Sequence, residues 1–125
     1  MSTTADVDNA VTYSWSNGRT WRSLDRQSRI TFLNGVEEGL MLMRREAELP
    51  GSVPLPTLQK QSERLMISGF RFSDIVEQID AFYADSSNRR IPIVDAYIYA
   101  LRKMKGESED TLRQLTASLR QRYNR

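Results

Sequence analysis

The densest run of chemistry-bearing side chains is Asp80-Ala-Phe82-Tyr83-Ala-Asp85-Ser-Ser-Asn88-Arg89-Arg90-Ile91-Pro92. Two readings fit it. In the first it is a ligand or partner site, with Asp80, Asp85 and Asn88 accepting hydrogen bonds and Tyr83 and Arg89 donating them. Asp80 and Tyr83 would then be neighbours at i, i+3 on one helix. In the second the same residues form a corner between two helices. There Asp85, Ser86, Ser87 and Asn88 bond to their own backbone, and Arg89 pairs with a carboxylate.

A second pattern is Glu37-Glu38, which together with Asp80 or Asp85 could supply the two carboxylates of a glycosidase-like hydrolase. Adjacent helical residues diverge by about 100°, so at most one of the two glutamates can face inward. A calcium loop needs oxygen ligands at alternating positions and a glycine at its sharp turn, and the Asp80–Pro92 run has neither. The chain contains no His and no Cys. Disulfides, thiolate nucleophiles, Cys/His zinc sites and imidazole general bases are therefore excluded. No G-x-x-x-x-G-K-[ST], G-x-S-x-G or G-x-G-x-x-G pattern occurs. The expectation is a binding protein with no catalytic residue, no cofactor and no metal, its partner being another protein.

Charge adds little. Lys+Arg is 18 against Asp+Glu 16, a net charge of +2. Nucleic-acid binders usually carry a basic face. The one local cluster is Arg89, Arg90, Arg102, Lys103 and Lys105, opposed by Asp95. Read as helix-turn-helix, residues 74–85 and 92–105 would place their basic side chains at the wrong end of the recognition helix. No window holds the roughly 18 apolar residues of a membrane span. Met1–Ser16 lacks the pattern of a signal peptide. Two readings fit equally: a cytoplasmic protein, or an exported one, periplasmic if its native precursor carries a signal peptide.

The elements that must position these groups are helical. At 125 residues one core is expected. Residues 1–20 read as a flexible leader and 21–125 as a single helical domain, with Trp15 and Trp21 around the Asn17-Gly18 turn signal pinning the leader. Ser23 is the expected N-cap of a long first helix over about 24–48, with Ile30, Leu33, Val36, Leu40, Met43 and Ala47 as its inner stripe. Ser28, Thr31, Gly35 and Gly39 make a ridge of small side chains on it, the two glycines each costing about 1 kcal/mol relative to Ala. Pro50, Pro54 and Pro56 predict an extended connector. Further helices are expected over 57–68, from Ser73-Asp74 to about 85, from Pro92 to Gly106, and from Ser108 onward with the stripe Leu112, Leu115, Leu119 and Tyr123. The fold class is all-α, a compact bundle of about five helices with no strand.

Phe32-Leu-Asn-Gly35-Val-Glu-Glu-Gly39 and Ile79-Asp80-x-Phe82-Tyr83-x-Asp85-x-x-Asn88-x-x-Ile91-Pro92 resemble segments of small exported bacterial helical proteins. More distantly, the layout from Trp21 to Gly106 resembles the Tai-like type VI secretion immunity proteins, whose members usually carry cysteines. That resemblance implies a small periplasmic helical protein that captures and blocks a peptidoglycan amidase. It implies no catalytic residue.

Overall fold

The computed structural model describes residues 10–13, 15–49, 56–65 and 69–124. Among them the chain forms six helices and one two-stranded antiparallel hairpin, β1 (Val11–Thr12) and β2 (Trp15–Ser16), in the register Val11 to Ser16 and Thr12 to Trp15. The helices are α1 (Gly18–Ser23), α2 (Arg26–Glu48), α3 (Pro56–Leu65), α4 (Phe72–Ala84), α5 (Ile93–Met104) and α6 (Glu109–Tyr123). A 3-10 turn, Ser86–Asn88, follows α4. The all-α bundle with one long helix is as the apolar periodicity predicts. The Pro50–Pro54 part of the expected connector lies outside the described residues.

The leader expected over residues 1–20 is structured from its middle. Residues 1–9 lie outside the described set, but β1, β2 and the start of α1 fall within it. Asn17 does not make a hairpin turn. Its side chain accepts from the Arg19 amide at 2.9 Å and caps α1. The long helix therefore starts later than expected, capped by Asp25 through the Ser28 amide at 2.7 Å. Ser23 instead closes α1, its hydroxyl donating to the Thr20 carbonyl at 2.7 Å. Helix α4 begins at Phe72, one residue ahead of Ser73, with no side-chain cap bond. Pro92 is the N-cap of α5 and not its first helical residue. Gly106 ends α5 as expected, at φ 91°, with the Glu107 amide bonded to Arg102 O at 3.1 Å and the Gly106 amide to Lys103 O at 3.1 Å. Ser108 caps α6 through the Thr111 amide.

Helix α4 occupies the centre, packed between α2 and α5, with α1 at its side. Helix α6 lies on α5 and α3 on α2. Ile75, Val76, Ile79, Phe82 and Tyr83 of α4 are buried. They meet Leu33 of α2, Trp21 of α1, and Ile93, Ala96, Tyr97, Ala100 and Leu101 of α5. Burying an Ile or Leu side chain contributes about 1.5–3 kcal/mol. A single hydrogen bond nets about 1 kcal/mol, so these stripes and not the polar contacts dominate the stability. The C-terminal stripe docks inside the molecule, Leu112, Leu119 and Tyr123 being buried. Of the α2 stripe Leu33 is buried, and Ile30, Val36 and Leu40 are half-buried. Met43, expected inward, is 48 % exposed.

Candidate functional site

The Asp80–Pro92 segment is the hub that ties the chain's two ends to its centre. Asp85 ends α4 and caps the 3-10 turn, its Oδ1 accepting from the Ser87 amide at 2.9 Å. That amide bond, with help from Arg120, holds the Asp85 carboxyl below its usual 3.8. Asn88 is buried. Its Nδ2 donates to the Phe82 carbonyl at 2.8 Å, satisfying one of the orphan acceptors at the end of α4. The ring of Tyr83 is fully buried, and its hydroxyl donates to Ile91 O at 2.7 Å, closing the corner from inside. Burial, with the Asp95 charge a smaller influence, pushes the Tyr83 phenol far above its ordinary value. It is a fixed donor and no acid–base group. Arg89 turns back, its Nε reaching Tyr83 O at 3.4 Å.

The chain's N-terminal part fits onto this corner. The Gly18 amide donates to Arg89 O at 2.9 Å, the Thr12 hydroxyl donates to Arg90 O at 2.5 Å, and Asn17 forms an isolated antiparallel bridge with Pro92. Asn17 Nδ2 in turn donates to Thr12 Oγ1 at 3.1 Å. Both Asn17 and Thr12 are buried. One turn earlier on the Tyr83 side of α4, Asp80 Oδ1 accepts from Trp21 Nε1 at 2.7 Å and from Arg29 Nη1 at 3.1 Å. Arg29 lies over the Trp21 ring, 5.6 Å from its centroid.

Helix α6 closes the corner from the C-terminal side. Arg120 forks across it, with Nε on Asn88 Oδ1 and Nη2 on Asp85 Oδ2, both at 2.8 Å. Arg90 Nε donates to Tyr123 O at 2.8 Å, and Asn124 Nδ2 to Ser87 O at 3.0 Å.

All five residues singled out as acceptors and donors thus meet the chain's own groups. The structure brings Tyr83, Asp85, Asn88 and Arg89 together at the corner and places Asp80 one turn earlier, beside Tyr83 in a cleft with Trp21 and Arg29. Tyr83 and Asn88 are buried, and among the described residues no buried side-chain nitrogen or oxygen lacks a hydrogen-bond partner. The arrangement fits the corner reading.

The carboxylates of the hydrolase reading are dispersed. Glu38 sits on an exposed part of α2 beside Met41 and Leu42, Asp80 in a cleft with Trp21 and Arg29, and Asp85 in a groove between α4 and α6. Asp80 is held by Arg29 and Asp85 by Arg120. Glu37 turns inward near Tyr97, whose hydroxyl donates to Leu65 O and lies 3.4 Å from Glu37 Oε2. In the helix-turn-helix reading the start of α5 would enter a groove, yet Pro92, Ile93 and Ala96 are packed in the core. No helix among the described residues is long and apolar enough to cross a membrane.

What the sequence reading missed lies elsewhere. Leu42 is 70 % exposed, Met41 53 % and Leu49 43 %, along one outer side of α2. The signal was present as an excess. Met41-Leu42-Met43 puts three apolar residues in a row, and an inward stripe needs at most one or two of them. Gly35 and Gly39 lie along the same outer surface, each with nothing within 4 Å of where a Cβ would stand.

Fold and corner together define a small all-α bundle whose polar centre is committed to holding its own helices. No protein-family model matches the chain, and no curated protein or solved structure matches it.

Proposed function

We propose that this chain is a protein–protein interaction module, and that the surface it presents is the outer face of α2. The observation that carries the reading is the exposure of Leu42, with Met41 and Leu49 beside it. Large apolar side chains grouped in water mark contact surfaces far more often than isolated ones do. Three surfaces compare: the corner, the apolar stripe of α6 and the small-residue ridge of α2. The corner is filled by α1 and α6, and the stripe of α6 is buried, so among the described residues the α2 ridge is the one of the three still open. The resemblance to the Tai-like immunity proteins, which work by capturing an enzyme, supports the same class of function.

The test is co-purification after chemical cross-linking, comparing the wild-type chain with Leu42→Glu. Leu42 is mostly solvated, so the variant keeps its thermal melt within about 0.5 kcal/mol of wild type. Capture of the partner falls at least tenfold. Capture unaffected by Leu42→Glu, with the melt also unaffected, would refute this surface.

A further inference from the structure

We infer that the occupant of this face is a second copy of the chain, its α2 lying antiparallel on the first across a two-fold axis. The inference rests on the outer α2 face being a docking surface, and names the partner.

At 100° per residue, Leu42 defines a direction opposite to Leu33, which is fully buried in the core. Helix α3 covers the inner flank of α2, through the Arg44–Glu63 pair at 3.9 Å and the Tyr97, Glu37 and Leu65 contacts. The outward stripe is Thr31, Gly35, Glu38, Leu42, Arg45 and Leu49, and every one of these residues is exposed. Small residues, Thr31 and Gly35, lie in its first half and Leu42 and Leu49 in its second, with one charge in each half, Glu38 and Arg45. Such a stripe matches itself when reversed.

Set the two-fold axis between Met41 and Leu42. Residues whose numbers lie equally far from that point then stand level across the pair. Met41 faces Leu42 of the second copy at the centre. Leu49 comes level with Asn34 and next to Gly35, where the open space at the glycine can take the leucine side chain. Glu38 comes level with Arg45, twice, once on each side of the axis. Both lie on one flank of the stripe, and in an antiparallel pair of helices like flanks meet. Glu38 and Arg45 stand about 10.5 Å apart along their own helix, too far to pair within the chain. Pairing of Glu38 with Arg45 therefore exists only between copies, and only in the antiparallel register. An isologous contact of this kind closes after two chains.

Sedimentation equilibrium of the full chain, from low micromolar to near-millimolar concentration, reads the association directly. The wild type is expected to be a dimer in reversible exchange with monomer, and Leu42→Glu to be a monomer throughout. Glu38→Arg and Arg45→Glu each set like charges against each other twice and weaken the dimer on the order of tenfold. The double variant E38R/R45E restores it. Mixing the two single variants restores it as well, as a heterodimer, because each supplies the charge the other lacks.

A wild-type chain that stays monomeric over the whole range overturns the inference. So does a double variant as weak as either single one. If the wild type is monomeric yet Leu42→Glu still removes capture of another protein, the self-pairing fails and the docking face stands. If the charge variants behave as stated and no other protein is captured, the dimer stands and the wider reading fails.

Discussion

Gly18 and Tyr83 share one space. A Cβ built on Gly18 would lie 2.4 Å from Tyr83 Cδ1 and 2.5 Å from Cε1, well inside van der Waals contact. The ring cannot yield easily, because its hydroxyl is tied to Ile91 O at 2.7 Å and its face is sealed by the core. The backbone cannot yield easily either, since the Gly18 amide is bonded to Arg89 O at 2.9 Å. Helix α1 thus approaches α4 closely enough for α1 to be part of the domain and not of a leader.

Gly18→Ala is expected to destabilise the fold by about 1–3 kcal/mol, the usual cost of inserting a methyl into a packed site. Combined with Tyr83→Ala, the loss is less than the sum of the two single losses, because removing the ring removes the clash. Urea unfolding of the four chains checks both statements.

Asn88→Ala is expected to cost more than Arg120→Ala, although the two side chains bond to each other. Asn88 is buried, and its loss strands the Phe82 carbonyl, about 1–3 kcal/mol. Arg120 is 38 % exposed, and its ion pair with Asp85 is solvent-screened, so its removal costs about 1 kcal/mol or less. Denaturation midpoints rank them. A reversed order would show that the Arg120 fork and not the Asn88 bond holds the corner.

Asp85 and Asp25 should make the fold acid-sensitive. Both are held below their usual 3.8, chiefly by backbone amides, those of Ser87 and Ser28. A carboxylate with a depressed folded-state pKa stabilises the fold above its unfolded value, and that stabilisation is lost as pH falls through the folded one. Asp95 works the other way. Burial raises it, so the penalty it carries at neutral pH is relieved on acidification. Asp85→Asn keeps a capping oxygen but no charge. It is expected to be less stable than wild type at neutral pH and to converge on it below 3.8, as urea midpoints along a pH series would show.

Trp21 and Trp15 should report separately. Trp21 is fully buried with its indole N–H on Asp80, whereas Trp15 is 54 % exposed. Trp15→Phe is expected to leave a blue-shifted emission that iodide quenches poorly. Trp21→Phe leaves a red-shifted, readily quenched one and lowers stability, since a large core side chain is cut down. Equal quenching in both variants would mean that α1 is not packed on α4.

Periodicity made most of the fold legible. The stripe Ile75–Ile79–Phe82 is buried where a 3.6-residue repeat puts it. On α5 the repeat points Val94, Tyr97, Ile98, Leu101 and Met104 inward; Tyr97 and Leu101 are buried, Val94, Ile98 and Met104 only half-buried, and Ile93, Ala96 and Ala100 complete the core face. Ser108 and Gly106 delimit their helices because capping is a local, backbone-level effect. The hairpin was invisible because two residues per strand give no alternation to read. The cap of α2 was misplaced because Ser23 and Asp25 are both good caps, and only the presence of α1 decides between them.

Sequence alone determined that the molecule is all-helical, free of cysteine and histidine chemistry, and that Asp80–Pro92 concentrates its polar groups. Whether that segment faces a partner or the chain itself was beyond local information. The answer depends on Thr12, Asn17, Gly18 and Arg120, which lie 32 residues or more away along the chain from the groups they meet. Hydrogen-bond donors and acceptors have the same types whether they bind a neighbour or their own fold. Only the tertiary packing brought those partners to the corner, and it left the outer side of α2, with Leu42 in water, as the open surface.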